Sequence, residues 1–161
     1  MTGNNTTLSS SAKTLRNITL KEPLTVSPHV SVLEAVKLMT EKNIDSVVVV
    51  GMTGTAETPS SLKKPMIHGI MTVKDVANRV IAKGLDPAKV TVSQVMTSPI
   101  QTATPDTSLY KVLMMMNQNN FRQVPVVDSD KVVGLVTSGM LNTSIIGDII
   151  EDIRLLATIF R

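Results

Sequence analysis

The chain has 161 residues, 42% of them hydrophobic, with no cysteine and a formal net charge of +3. That length suits one compact domain or two small ones sharing a core. The lack of cysteine excludes disulfides, thiolate metal sites and a cysteine nucleophile, and it is compatible with a cytoplasmic setting. Only Tyr110, Phe121 and Phe160 are aromatic, so the core has to be aliphatic, drawn from Val, Ile, Leu and ten Met. Apolar runs such as 47–50 and 112–116 fall far short of the roughly 18–20 residues of a spanning helix. Lys and Arg are scattered and aromatics for base stacking are scarce, which leaves nucleic-acid binding as a minor alternative.

In chain order, residues 1–14 read as a disordered leader, since Met1 to Ala12 is rich in Asn, Thr and Ser and carries no charged side chain. Ser31-Val32-Leu33-Glu34 is a capping box, and Leu33, Val36, Leu38 and Met39 continue a helical period to about Lys42. Val47–Val50 is a β-branched run that predicts a buried strand. Gly51 to Pro65 is rich in Gly, Thr, Ser and Pro and predicts a loop. Ile67–Met71 predicts a second strand, and Val73–Lys83 a helix stopped at Gly84. The later order repeats this: helix 107–119, strand Val124–Val127, a turn at Asp128-Ser129-Asp130, strand Val132–Val136, and a helix from about Ser138. In the tail, Ile146, Ile149, Ile150, Ile153, Leu156 and Phe160 share one helical face, with Asp148, Glu151, Asp152 and Arg154 mostly on the other. Such a helix either closes the core or offers an oligomer or partner surface.

The order repeats because the sequence does. Residues 25–50 match 102–127 at an offset of 77, with identities at Thr25, Pro28, Ser31, Met39, Asn43, Val47, Val49 and Val50. Gly69-Ile70-Met71-Thr72 recurs as Gly134-Leu135-Val136-Thr137 at an offset of 65, so the first copy carries 77 − 65 = 12 extra residues. The chain divides into the leader 1–14, a first repeat at 15–85 with its insertion within 51–66, a second repeat at 86–144 and an amphipathic helix at 145–161.

These residues together resemble a tandem pair of cystathionine-β-synthase (CBS) domains. The resemblance rests on Val95-Met96-Thr97-Ser98-Pro99, Thr102–Leu109, Phe121–Asp128 and Val133–Thr137 in the second copy. In the first copy it rests on Pro23–Pro28, Met39, Ile44, Val47–Val50 and Gly69–Asp75. The fold it implies is α/β (α+β), a pseudo-twofold pair with small sheets packed against helices, here with an extra C-terminal helix. The function it implies is non-catalytic: a regulatory module that senses AMP, ADP, ATP or S-adenosylmethionine between the repeats, requires no cofactor, often forms a homodimer and acts on an effector protein. A ligand-independent dimerisation or inhibitory scaffold is the alternative.

The family motif Gly-apolar-x-Thr/Ser-x-x-Asp is complete at Gly69, Ile70, Thr72 and Asp75. By resemblance, Asp75 accepts from ribose hydroxyls, Thr72 faces a sugar or phosphate oxygen, and Ile70 and Val47 cover the base. Ser93, Val95, Met96, Thr97, Ser98 and Pro99 complete that site, with backbone groups reading the adenine edge and Met96 on the ring. Thr72-x-x-Asp75 is also a capping box in its own right, which needs no ligand. The second copy places Met140 where the carboxylate belongs. Its site would be degenerate, drawn from Ile18, Thr19, Leu20, Lys21, Arg122, Gln123, Leu135 and Thr137. Arg122 stands where relatives often carry a phosphate-binding base, whereas the first copy has Asp45 there, so that either Arg122 reaches across to the first site, or Lys74 serves, or the ligand carries little negative charge. His29 and His68 have no metal-ligand partner at a recognised spacing, so no metal site is expected.

Overall fold

The computed structural model describes residues 13–54 and 57–159. The first repeat runs β1 (Thr25–Val26), α1 (Val32–Glu41), β2 (Ser46–Met52), β3 (Pro65–Thr72) and α2 (Val73–Val76), which continues as a π-helical turn over Ala77–Ile81. A short α3 (Val92–Val95) follows. The second repeat runs α4 (Leu109–Asn119), β4 (Gln123–Asp128), β5 (Lys131–Thr137) and α5 (Ser138–Ile159). Ser31 Oγ accepts from the Glu34 N–H at 3.1 Å, and Ser108 Oγ accepts from the Lys111 N–H at 3.2 Å, so both long helices start on a capped donor. Asn43 and Asn120, related by the 77-residue offset, both take positive φ (52° and 54°) just past their helices, a conformation Asn tolerates well.

In the first sheet β1 pairs parallel with β2, and β2 pairs antiparallel with β3. β4 and β5 form a two-stranded hairpin, whose Ser129 and Asp130 both have positive φ. Two such residues in sequence match the right-handed twist of the flanking strands. In the first repeat β2 extends through Gly51 and Met52, and β3 begins at Pro65. The insertion is therefore strand at both ends rather than loop throughout, because an expanded hairpin keeps pairing until its turn chemistry intervenes. Thr55 and Ala56 lie outside the described residues.

Two compact units result, and they differ from the sequence repeats. One is Glu22–Gln101 with Ser129–Val132; the other takes residues up to Lys21, Thr102–Asp128 and the chain from Val133. A strap segment explains the difference. In the first unit the Val32 N–H donates to Val90 O, Ser31 bridges Thr91, and Ile70 bridges Thr97. In the second the Leu109 N–H donates to Lys13 O, Ser108 bridges Thr14, and Leu135 bridges Lys21. Residues 13–21 thus serve the second repeat as 90–97 serve the first. Lys13–Lys21 belongs by packing with the later repeat, and Leu15 lies in that core with Leu109, Val112, Met116 and Leu141. The expected leader is accordingly corrected at its end: Lys13 and Thr14 are bonded structure, and 1–12 lie outside the described residues.

The tail is corrected as well. It is no separate helix but the continuation of α5 from Ser138. Its rotation is the reverse of a core-closing helix. Leu141 and Asp148 are buried, while Ile146, Ile149, Ile150, Ile153 and Leu156 are each about half exposed. Lys13 Nζ pairs with Asp148 Oδ1, and that charge partner lets a carboxylate turn inward. Phe160, expected on the same apolar face, lies outside the described residues. No helix among the described residues is long and apolar enough to cross a membrane.

Candidate functional site

β3 feeds directly into α2, and the junction Gly69-Ile70-Met71-Thr72 sets the site. Thr72 is the N-cap. Its N–H and its hydroxyl both donate to Asp75 Oδ2, at 2.9 and 2.7 Å, and the Asp75 N–H donates back to Thr72 Oγ1 at 3.2 Å. The capping box foreseen as the ligand-free use of this motif is therefore fully formed. It consumes only one carboxylate oxygen. Around Asp75 Oδ1 lie Thr97 Oγ1 and Arg79 Nη2, each at 3.4 Å, which are long for a hydrogen bond. An ionised carboxylate offers about four acceptor positions, so Oδ1 retains capacity for an incoming hydroxyl.

Arg79, absent from the sequence-based site, ties this corner together. Its Nη1 donates to Val95 O at 2.6 Å and to Met96 O at 2.8 Å, and its Nη2 donates to Thr97 Oγ1 at 3.2 Å. The sequence signal for it is the i, i+4 spacing from Asp75, which puts acid and base on one helical face. Thr97 also exchanges both backbone bonds with Ile70, N–H to O at 3.1 and 2.8 Å. The Met96 N–H donates to Val92 O. The backbone groups of 95–97 expected to read a base edge are thus largely spent inside the protein. Ser98 is different: among the described residues it makes no hydrogen bond, and it is exposed beside Pro99.

The remaining first-site residues fall apart by burial. Val47, paired with Met71 across the sheet, and Val95 are at most 2% exposed and belong to the core. Met96 is half-buried against that core. Lys74 is exposed. Ser93 is engaged elsewhere: its N–H donates to Pro28 O and its hydroxyl lies 2.9 Å from Thr91 Oγ1. Asp45 is exposed, and its carbonyl accepts from the Val73 N–H at 3.0 Å, which places it at the start of α2.

The second repeat repeats the frame without the carboxylate. The Met140 N–H donates to Thr137 Oγ1 at 3.3 Å, as Asp75 does to Thr72, but Met140 returns nothing. The Ser138 N–H donates to Arg122 O at 2.9 Å, as Val73 does to Asp45. Ile18, Thr19, Lys21, Thr137, Gly139, Met140, Thr143 and Ser144 line an open hollow of about 510 Å³. Leu20 packs on the core and against Gly134, and Lys21 exchanges backbone bonds with Leu135. Arg122 is exposed and Gln123 half-buried at the start of β4; neither lines the hollow. No group of three or more metal-ligating side chains comes together among the described residues.

The order helix, strand, strand and helix occurs twice, once with a complete and once with an incomplete Gly-apolar-x-Thr-x-x-Asp junction. The chain belongs to the CBS domain family, whose model matches residues 15–82 and 92–146. The CBS domain-containing protein CBSCBSPB2 of Arabidopsis thaliana is 33% identical over 129 residues, covering 80% of this chain and 22% of that relative. The chain thus spans about a fifth of the length of that plant protein. The CBS domain-containing protein YhcV of Bacillus subtilis is 32% identical, covering 73% of this chain and 74% of its own. Among solved structures, the CBS domain pair of protein MJ0100 in complex with 5′-methylthioadenosine and S-adenosyl-L-methionine is 30% identical with a TM-score of 0.65, covering 81% of this chain and 98% of that one.

Proposed function

We propose that this chain is a regulatory module that binds one adenine-containing ligand, with Asp75 as the ribose acceptor. The observation that carries the reading is the division of labour at Asp75: Oδ2 holds the helix cap, while Oδ1 has only 3.4 Å neighbours. The MJ0100 pair, whose two named ligands carry no phosphate, supports an adenosine-type ligand. Local charge favours the same choice over AMP, ADP or ATP. Asp45 stands at the start of α2, and the donors of Arg79 are largely spent on protein oxygens. Among the described residues, hydroxyls and Lys21 but no carboxylate line the hollow of the second repeat, so ribose recognition there lacks its main acceptor.

Calorimetry with adenosine, S-adenosylmethionine, AMP and ATP tests this directly. One tight site per chain is expected, with the phosphate-free ligands preferred. A thermal scan should rise in step, since a ligand at a hundred times its Kd adds about 2.7 kcal/mol to the folded state. Two equally tight sites would contradict the asymmetry, and no binding by any of the four would overturn the reading.

One observation favours a second and compatible role in assembly. The apolar face of α5 stands half exposed at five Ile and Leu positions. Deleting the tail would also remove the buried Asp148, so point variants are the cleaner probe. Ile149→Gln with Ile153→Gln should leave the melting temperature nearly unchanged, since surface changes lie within about 0.5 kcal/mol, and should lower the mass seen by light scattering. An unchanged mass would remove this face from any assembly.

A further inference from the structure

We infer that Arg79 is the positioning residue of the Asp75 site: it fixes the strap at 95–97 so that, of the backbone expected to read the base, the neighbouring Ser98 presents those groups. The inference rests on the proposed adenine reading and goes further by naming what sets base selectivity. Its ground is the way one guanidinium is distributed. Two bonds from Nη1 reach consecutive carbonyls, Val95 O and Met96 O, at 2.6 and 2.8 Å. Nη2 reaches Thr97 Oγ1 at 3.2 Å and stands 3.4 Å from Asp75 Oδ1. Consecutive carbonyls turned to one donor cannot belong to a strap free to rotate.

The same cation faces the ribose acceptor and the strap, so the distance between them is set by one planar side chain. Charged donors on neutral carbonyls are the stronger class of hydrogen bond. Lysine cannot reproduce the pattern, because an ammonium is a point charge without the fork. From the far side, the strap is pinned by the Ile70–Thr97 bonds and by Met96 packed on the core. Among the described residues, the polar groups left beside this anchor include Asp75 Oδ1 and the backbone of Ser98. A backbone N–H and C=O held at fixed orientation match adenine, which offers an acceptor at N1 and a donor at N6. Hypoxanthine reverses both. Selectivity for adenosine over inosine therefore depends on the orientation of 98, and through it on Arg79.

The side chain of Arg79 is 41% exposed, so Arg79→Gln and Arg79→Lys should both fold. Two measurements read the role. Amide hydrogen exchange without ligand should speed up by about tenfold or more at Ile70 and Thr97 in both variants, with Val48 and Val49 unchanged. The ratio of adenosine to inosine affinity should fall by about fivefold or more in both, whereas Asp75→Asn should weaken the two nucleosides alike and keep the ratio. Unchanged exchange at Thr97 overturns the anchoring. Faster exchange with an unchanged ratio makes Arg79 merely structural and overturns the selectivity role. If Arg79→Lys restores both readings, the fork is irrelevant and the inference fails. No nucleoside binding by the unaltered chain overturns the proposed function and the selectivity role with it, while the exchange result still decides the anchoring.

Discussion

Gly69→Ala is expected to destabilise the first unit by about 3 kcal/mol and to abolish nucleoside binding, the upper end for forcing one methyl into a packed site. A Cβ at Gly69 would stand 2.5 Å from Thr97 O and 2.8 Å from Met96 Sδ. The sulfur sits on a flexible side chain and can yield. The carbonyl cannot, because Thr97 O accepts from the Ile70 N–H at 3.1 Å and its own N–H is held by Ile70 O. The methyl must therefore push the strap off β3, and Arg79 loses its targets at Val95 and Met96. Gly147→Ala is the control: a Cβ there meets nothing within 4 Å, and in an exposed stretch of α5 alanine should gain up to about 1 kcal/mol of helix propensity. Chemical denaturation of the two variants reads the contrast. A Gly69→Ala protein as stable as the unaltered chain would mean that the strap does not need this close approach.

The requirement recurs in the second unit with a different neighbour. A Cβ at Gly134 would collide with the Leu20 side chain rather than with backbone. This recurrence shows what the sequence could disclose. The glycine that opens the motif, the Ser31 and Ser108 caps and the two Val strands are local signals, fixed by residue type and period, and the elements follow them closely. Which strap serves which repeat is different. It depends on backbone bonds between residues such as Lys13 and Leu109, whose identities carry no mark of the pairing.

The rotation of α5 was hidden for a related reason. Periodicity places Ile146, Ile149 and Ile153 on one face but does not say that the face looks outward. That is decided by Asp148 finding Lys13 from a distant part of the chain. Arg79 had a half-legible role: its i, i+4 relation to Asp75 is in the sequence, whereas the carbonyls it binds are revealed only by the turn of the strap. Thr72 and Asp75 were legible as a capping box, and the geometry assigns one carboxylate oxygen to the cap.

That split lets stability and binding be separated at one residue. Asp75→Ala is expected to weaken nucleoside binding by about 1.5–3 kcal/mol, roughly a tenfold to hundredfold loss, the range for a hydrogen bond to a charged acceptor. It should also cost about 1 kcal/mol of stability, because the bonds from the Thr72 N–H and hydroxyl to Oδ2 disappear. Asp75→Asn should divide the two effects. Its amide oxygen can take the place of Oδ2 and keep the cap. Its NH2 then occupies the position of Oδ1, where it faces the Arg79 guanidinium and donates instead of accepting. Stability should change by less than about 0.5 kcal/mol, while most of the binding loss remains. 2′-Deoxyadenosine supplies the chemical counterpart: it should bind the unaltered chain more weakly than adenosine and bind the Asn variant equally, since a missing hydroxyl matters only where its acceptor is present. If Asp75→Asn binds adenosine as tightly as the unaltered chain, the carboxylate is a cap and nothing more. If both variants lose stability and binding in the same proportion, the binding loss belongs to the helix start rather than to the ribose.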